Sequence, residues 1–197
     1  MSSGFSSIAR LRPSSLTGIA PTIVLLGATI VIGPHVGSLI RPAFIVGCAA
    51  AGWYAWRVSP AVHVQAALWL FSFAPFARRI VDLSIGYDQS GLMLVGPLMA
   101  ILAPFPRLLT YFDDRKAPSP VLLSMMVFAG CVAYAATISL FQGDWFNAAS
   151  GALKWTAPVI YAAVLLRDAD RDEMVQGMAS AFLIILPLIT IINELGF

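Results

Sequence analysis

The feature that most constrains this chain is a succession of apolar segments, each long enough to cross a lipid bilayer. A membrane-spanning helix needs about 20 predominantly apolar residues, and within lipid only helices or closed barrels satisfy the backbone hydrogen bonds. The sequence contains seven such segments, at 17–33, 41–56, 61–77, 90–109, 120–141, 145–166 and 175–195. It therefore predicts an all-α integral membrane protein, a bundle of about seven transmembrane helices.

The composition supports this class. Hydrophobic residues make up 59% of the 197 residues and charged residues 11%, whereas soluble domains carry about 25% charged residues. The formal net charge is only +2, and without a basic run we expect no nucleic-acid partner. Cys48 and Cys131 lie in separate apolar stretches, which predicts neither a disulfide framework nor a metal site. Prolines within or near these segments predict several kinked helices, at Pro75, Pro97, Pro104, Pro158 and Pro187.

The domain organisation is simple. Residues 1–16 form a polar, Ser-rich tail that we place in the cytoplasm, and residues 17–197 form a single transmembrane domain. A cytoplasmic N-terminus puts eight Lys and Arg residues inside and four outside, in agreement with the positive-inside rule. The inner set is Arg10, Arg12, Arg57, Arg107, Arg115, Lys116, Arg167 and Arg171, and the outer set is Arg41, Arg78, Arg79 and Lys154.

Two adjacent arginines are the most informative residues, because this orientation places them on the outer face. Arg78 and Arg79 follow the third segment, with Asp82 close behind. Guanidinium groups bind phosphate anions bidentately and stay charged, so the pair is a candidate anion-binding site. Alternatively, the arginines end the third helix, reach the lipid headgroups and pair with Asp82 at helical spacing. That alternative needs no ligand.

Three further residues are candidates at the outer face. Asp88 is expected to cap a turn or helix rather than act as a base, and Tyr87 either covers the bundle or stacks on a sugar ring. Only twelve residues separate Lys154 from Arg167, too few to cross a bilayer,. Its span must begin earlier, so Lys154 enters the membrane and either faces a cavity or extends to the headgroups.

Other polar patterns are weaker. Asp168, Asp170 and Asp172 alternate as at the start of a calcium loop, but the glycine and distal glutamate of such a loop are missing,. A solvated connector explains them better. His35 and His63 fall on opposite sides of the membrane and cannot share a metal, so we expect no metal and no other cofactor.

A resemblance to a known family rests on two stretches. PFARRIVDLSIGYDQSGLMLVGPLMAIL, residues 75–102, resembles the early part of bacterial O-antigen ligases and polymerases, with an arginine pair, an Asp, an aromatic turn and a proline-containing helix in that order. GALKWTAPVIYAAVLL, residues 151–166, resembles their later Trp–Pro helix. The resemblance implies the N-terminal half of such an enzyme. The family's catalytic residues would lie in a missing second half, and none is carried onto this chain.

The resemblance also implies a function. It predicts a bacterial inner-membrane protein of polysaccharide assembly, acting on polyprenyl-pyrophosphate-linked glycans at the outer face. Arg78, Arg79 and Lys154 would then form a basic entrance for the pyrophosphate, supported by Asp82, Tyr87 and Asp88. The expected partners are membrane lipid, such a glycan, and either the missing half or a partner protein. The alternative is a non-enzymatic membrane subunit packed beside a larger complex. A transporter is disfavoured because we find no inverted repeat and no membrane-embedded carboxylate.

Overall fold

The computed structural model describes residues 13–88, 91–109, 120–143 and 145–194, and these are helical with short connections. The helices are α1 (Pro13–Val36), α2 (Ile40–Val58), α3 (Pro60–Ile85), α4 (Val95–Ile101), α5 (Phe105–Leu109), α6 (Pro120–Phe141), α7 (Trp145–Asp168) and α8 (Arg171–Glu194). The described residues contain no strand, which agrees with the predicted all-α class. Most of the 1–16 tail lies outside the described residues, as do residues 110–119 and the C-terminal residues 195–197.

The first two helices form a hairpin. A 3-10 turn at Gly37–Leu39 separates them, and Gly37 has a φ of 70°, a left-handed conformation that glycine adopts easily,. The end of α1 and the start of α2 then meet the end of α3, since Gly33 lies against Val81 and Ile40. At the other end of the bundle, Gly18 near the start of α1 contacts Val58 and Val62. α1 and α3 therefore run in the same direction, with α2 antiparallel to both.

α3 is the central helix of the bundle. It packs against α1, α2, α4 and α8, and its buried side chains Trp69, Leu70 and Phe73 form the middle of the main hydrophobic core. The sequence pattern ends the third segment at Ala77 because charged residues follow. The helix instead continues for two turns to Ile85, and within those turns Arg78 pairs with Asp82.

The predicted segment at 90–109 is not one helix, and this corrects the sequence interpretation. It consists of a 3-10 turn at Leu92–Leu94, the two short helices α4 and α5, and a turn at 102–104 between them. Pro104 explains the break, because it has no N–H to donate to the carbonyl of Ala100 four residues earlier. That oxygen instead accepts from the Ala103 N–H at 3.1 Å, a tighter turn than an α-helix makes.

α2 and α4 pack closely because a glycine on each helix faces the other helix. A methyl group on Gly52 would lie 2.5 Å from the carbonyl oxygen of Ala100, and one on Gly96 would lie 2.9 Å from Cys48 Sγ. Gly47, one turn before Gly52 on another side of α2, contacts Leu25 of α1 in the same way. The small residues from 47 to 52 thus serve the close helix packing that membrane bundles use.

Five stretches of the described chain are long and apolar enough to span a membrane. They are Gly18–Val58, Pro60–Ile85, Leu123–Phe141, Ala148–Arg167 and Arg171–Glu194. The first covers both α1 and α2, which the hairpin folds back on each other. A shorter apolar helical stretch lies at Leu92–Ile101. α6 is the most peripheral of the long helices, because none of its apolar stretch Leu123–Phe141 is buried and it packs mainly on α7.

Candidate functional site

Four charged side chains form a cluster at the end of the bundle where α1 ends, α2 begins and α3 ends. Asp82 is its centre and pairs with two arginines. Arg41 Nη2 donates to Asp82 Oδ1 at 3.1 Å, and Arg78 Nε donates to Asp82 Oδ2 at 3.2 Å. Arg41 Nε also lies 3.8 Å from Asp88 Oδ2. We call Arg41, Arg78, Asp82 and Asp88 the charge cluster, and their end of the bundle the cluster end.

The loop after α3 is held by the same side chains. Arg78 Nη2 donates to the backbone oxygen of Asp88 at 2.6 Å, and Arg41 Nη2 donates to the backbone oxygen of Gly86. Asp88 Oδ2 accepts the backbone N–H of Leu92 at 2.9 Å, which is the capping role expected for Asp88. Gly86 and Gly91 both have positive φ, so the loop turns at backbone positions suited to glycine. The cluster therefore fixes the connection from α3 to α4.

A cleft of about 420 Å³ opens beside the charge cluster. Its polar lining is Arg78, Arg79, Asp82 and Tyr87, and its apolar lining is Pro75, Leu83 and Leu94. The Tyr87 side chain is 75% exposed, and the guanidinium carbon of Arg78 lies 5.5 Å from the centre of its ring. The cleft thus combines cationic groups, an aromatic ring and apolar walls at one end of the bundle.

The two adjacent arginines have different environments. Arg78 is largely buried and uses its guanidinium on Asp82 and Asp88, so the expected pairing with Asp82 at i, i+4 is present. Arg79 is exposed and lines the cleft, and its side chain has no ion pair or hydrogen bond within the described residues. Arg79 is consequently the side chain that can meet an anion without first leaving a partner.

Lys154 does not join this group. It is exposed on α7, and it does not line the cleft that holds Arg78 and Arg79. One turn further along α7, Ala157 packs against Ala67 and Leu98, and Ala67 precedes Arg78 on α3 by about three turns. Among the described residues, the structure brings Arg78, Arg79, Asp82, Tyr87 and Asp88 together and leaves Lys154 apart.

Sequence reasoning did not include Arg41 in the site. Arg41 contributes more contacts to the charge cluster than Arg79 does, since it binds Asp82, Gly86 and lies near Asp88. A signal for it exists in the sequence. In an antiparallel bundle the start of the second span and the end of the third lie at the same end, so Arg41, Arg78 and Asp82 must share that surface.

A second buried polar group lies near the opposite end of the bundle. His63 is 1% exposed, and its Nε2 lies 3.0 Å from the carbonyl oxygen of Ala100 while its Nδ1 lies 2.9 Å from Tyr161 Oη. A carbonyl only accepts, so Nε2 carries the proton and the Tyr161 hydroxyl donates to Nδ1. Trp56 meets the imidazole edge-on at 5.5 Å between ring centres. His63 thereby joins α3 to α4 and α7.

The described residues offer little to a metal ion. No group of three or more His, Cys, Asp or Glu side chains in that part of the chain is arranged to hold one. Asp170, part of the alternating aspartates, instead caps α8, with its Oδ1 accepting the backbone N–H of Asp172 at 2.8 Å. This is the structure of a helix connector.

The fold and the cleft together have the features of an all-helical, multi-pass membrane protein with a charged cleft at one end of its bundle. Comparison with known proteins adds no family to that class. No family model matches the chain, and neither a curated protein nor a solved structure matches it. The resemblance to O-antigen ligases and polymerases stays a prediction from the residues that carry it.

Proposed function

We propose that this protein binds a phosphate-bearing lipid at the outer membrane surface, through the cleft beside the charge cluster. The observation that carries the proposal is the position of Arg79, a guanidinium without a partner among the described residues, on a cleft whose other walls include Pro75, Leu83 and Leu94. A lipid headgroup joins an anion to an apolar chain. The cleft offers a cation and an apolar surface side by side, as such a ligand requires.

The charge balance indicates how the anion would be held. Arg41 and Arg78 are offset by Asp82 and Asp88, so Arg79 supplies the one net positive charge of these five side chains. A singly charged phosphate is matched by Arg79 alone. A pyrophosphate carries more charge, and a second guanidinium would have to come from Arg78, exchanging Asp82 for a pyrophosphate oxygen. Arg41 would keep Asp82 paired during that exchange.

We further propose that the lipid is a polyprenyl-pyrophosphate-linked glycan used in polysaccharide assembly. The support is the resemblance of residues 75–102 to O-antigen ligases and polymerases, together with the cleft at that same stretch. Tyr87 lies on the cleft with its ring exposed, where it could stack on a sugar. The chemical step of glycan transfer is assigned to no residue of this chain.

The proposed orientation puts the N-terminus in the cytoplasm, about seven spans in the bilayer, and the cluster end outside in a bacterial inner membrane. α1 starts at the end of the bundle opposite to the charge cluster, because Gly18 contacts Val58 and Val62. Arg57, Arg167 and Arg171 lie at that opposite end, where α2 and α7 end and α8 begins. The positive-inside rule favours this end as the cytoplasmic one.

Binding of undecaprenyl pyrophosphate to the purified chain in detergent tests the proposal, with undecaprenol as the ligand that lacks the anion. Arg79→Gln should weaken pyrophosphate binding by about 10-fold or more, since a hydrogen bond to a charged group contributes about 1.5–3 kcal/mol. Arg171→Gln, an exposed arginine at the opposite end, is the matched control. Equal binding of undecaprenol and the pyrophosphate, or unchanged binding by a folded Arg79→Gln variant, would contradict the proposal.

A second candidate function is that of a non-enzymatic subunit beside a larger membrane complex. The exposure of α6 favours it, because Val127 is 62% exposed, Tyr134 72% and Phe141 86%. Purification in mild detergent separates the two functions. A stoichiometric partner protein that is lost when Gly130→Leu enlarges the α6 surface would support the subunit, and a chain that purifies alone with intact lipid binding would count against it.

A further inference from the structure

Lys154 lies inside a stretch of α7 that is long and apolar enough to span a membrane, Ala148–Arg167. Six residues precede it in that stretch and thirteen follow it. At 1.5 Å per residue this puts Lys154 about 9 Å from one end of the stretch and about 20 Å from the other. The neighbouring side chain supports this depth, because Leu153 packs against the buried cluster that contains Ala67 and Ala157.

The Lys154 side chain is exposed, and it has no ion pair or hydrogen bond within the described residues. One turn earlier, Gly151 leaves open space beside it, since no atom lies within 4 Å of a methyl group added there. One turn later, Pro158 is exposed on the same face and has no N–H to donate to the Lys154 carbonyl. Residue 154 thus brings a positive charge, and a carbonyl without its usual helical donor, to a surface that another helix can approach.

We infer that this face of α7 docks a membrane helix of another protein, and that Lys154 pairs with a carboxylate on that helix. Charge complementarity selects the occupant, because a charged side chain within the membrane is costly and pairs with an opposite charge or faces a cavity. Lipid phosphate is a poorer partner, since the four-carbon stem of a lysine covers only part of the distance to the end of the stretch. The inference rests on neither function proposed above, because Lys154 lies outside the cleft and on a different helix from the α6 surface.

A second copy of this chain is a poor match, because the acidic residues that the structure describes lie at the two ends of the bundle. Glu194 ends α8 at the cluster end, to which α8 runs from its contact between Gly177 and Ala61. The other acidic residues are Asp82 and Asp88 at the cluster end, and Asp168, Asp170, Asp172 and Glu173 at the opposite end. We therefore take the partner to be a different protein, with an Asp or Glu in the apolar part of a helix.

Energy transfer in phosphatidylcholine vesicles tests this inference, from the tryptophans of the full chain to a dansyl-labelled single-span peptide. The probe is a leucine-rich helix with one Glu at the depth of Lys154, and the control peptide has Leu there. The wild-type chain should bind the Glu peptide about 5-fold or more tightly, as expected of a polar contact between membrane helices. Lys154→Leu should abolish this preference and Lys154→Arg should keep it. Arg167→Gln, which removes a cation at the end of the same helix, should leave it unchanged.

A second measurement changes only the peptide and so does not depend on the folding of any variant. Moving the Glu to the end of the peptide's apolar segment should remove the preference, because the carboxylate then no longer meets Lys154. Equal binding of the Glu and Leu peptides by the wild-type chain would overturn the inference in favour of a lysine that extends to the headgroups. A wild-type dimer that Lys154→Leu dissociates would also overturn it, since the occupant would then be a second copy.

Discussion

His63 Nε2 donates to the carbonyl oxygen of Ala100 across 3.0 Å, at the point where α4 gives way to a turn. Pro104 leaves that oxygen without its usual helical donor. The Ala103 N–H supplies one donor at 3.1 Å, and the imidazole supplies a second from another helix. Unsatisfied carbonyls are costly in lipid, so the imidazole adds to the compensation that the turn itself provides at this proline break. The histidine and the proline, distant in sequence, therefore form one structural unit.

Replacing His63 should destabilise the bundle. His63→Leu removes the imidazole donor to Ala100 and leaves the Tyr161 hydroxyl without its acceptor, for which we expect a loss of about 1–3 kcal/mol. Tyr161→Phe removes one hydrogen bond only and should cost about 0.6–1.7 kcal/mol. Thermal unfolding in detergent measures both, with His35→Leu as the control because His35 is exposed at the end of α1. Equal midpoints for His63→Leu and His35→Leu would show that the imidazole contributes nothing to stability.

Gly52→Ala should also destabilise the protein. The added methyl group would lie 2.5 Å from the carbonyl oxygen and 2.7 Å from the Cα of Ala100, and backbone atoms cannot move aside as a side chain can. Overpacking of this kind costs about 1–3 kcal/mol. Gly130→Ala in α6 is the matched control, since no atom lies within 4 Å of its added methyl group. Alanine there should be neutral or slightly stabilising, and a loss as large as that of Gly52→Ala would contradict the packing explanation.

Arg41 and Arg79 should differ in their effect on stability. Arg41→Gln leaves Asp82 with Arg78 alone and takes the nearby cation from Asp88, both of which are largely buried. We expect a loss of about 1–3 kcal/mol, as for other hydrogen bonds to charged groups. Arg79→Gln removes no contact among the described residues and should change stability by less than about 0.5 kcal/mol. Chemical denaturation of the two variants measures the two losses of stability. A larger loss for Arg79→Gln than for Arg41→Gln would show that the charge cluster does not stabilise the cluster end.

Cysteine labelling should establish the orientation. Tyr87 is 75% exposed at the cluster end, so Tyr87→Cys in a Cys131→Ser background should react with a membrane-impermeant maleimide added to intact cells. Arg171→Cys, at the opposite end, should react only after the membrane is opened. The native Cys48 is fully buried and should not react with the maleimide. The opposite labelling pattern would place the charge cluster in the cytoplasm and exclude a role at the outer face.

The sequence predicts correctly those helix boundaries that depend only on the length of an apolar segment. α6 follows the predicted boundaries, and α7 begins at the predicted residue. The boundaries that were missed depend on hydrogen bonds between distant residues. α3 passes Ala77, where Asp82 pairs with both Arg78 and Arg41. The segment at 90–109 breaks at a proline, and the Ala100 carbonyl left by that break accepts from Ala103 and from His63. Hydropathy records neither relationship.

The candidate site was predicted only in part, because one of its residues is remote in sequence from the others. Arg78, Asp82 and Asp88 are close in sequence, and their spacing indicated a local pair and a cap. Arg41 is remote in sequence, and only the order of the helices brings it to Asp82. Lys154 was grouped with the arginines from its side of the membrane alone. A membrane face is broad, and a shared side does not imply a shared cleft.

The close contacts of α2 have a consequence for mutational tolerance. Phe44, Cys48 and Gly52 recur at every fourth position and press against Gly96 and Ala100, while Gly47 fixes the same helix against α1. These contacts oppose sliding or rotation of α2, so the position of Arg41 beside Asp82 depends on uncharged residues one to three turns away. In a saturation scan, intolerance should therefore run as a stripe along α2 into the membrane, well beyond the last residue that carries a charge.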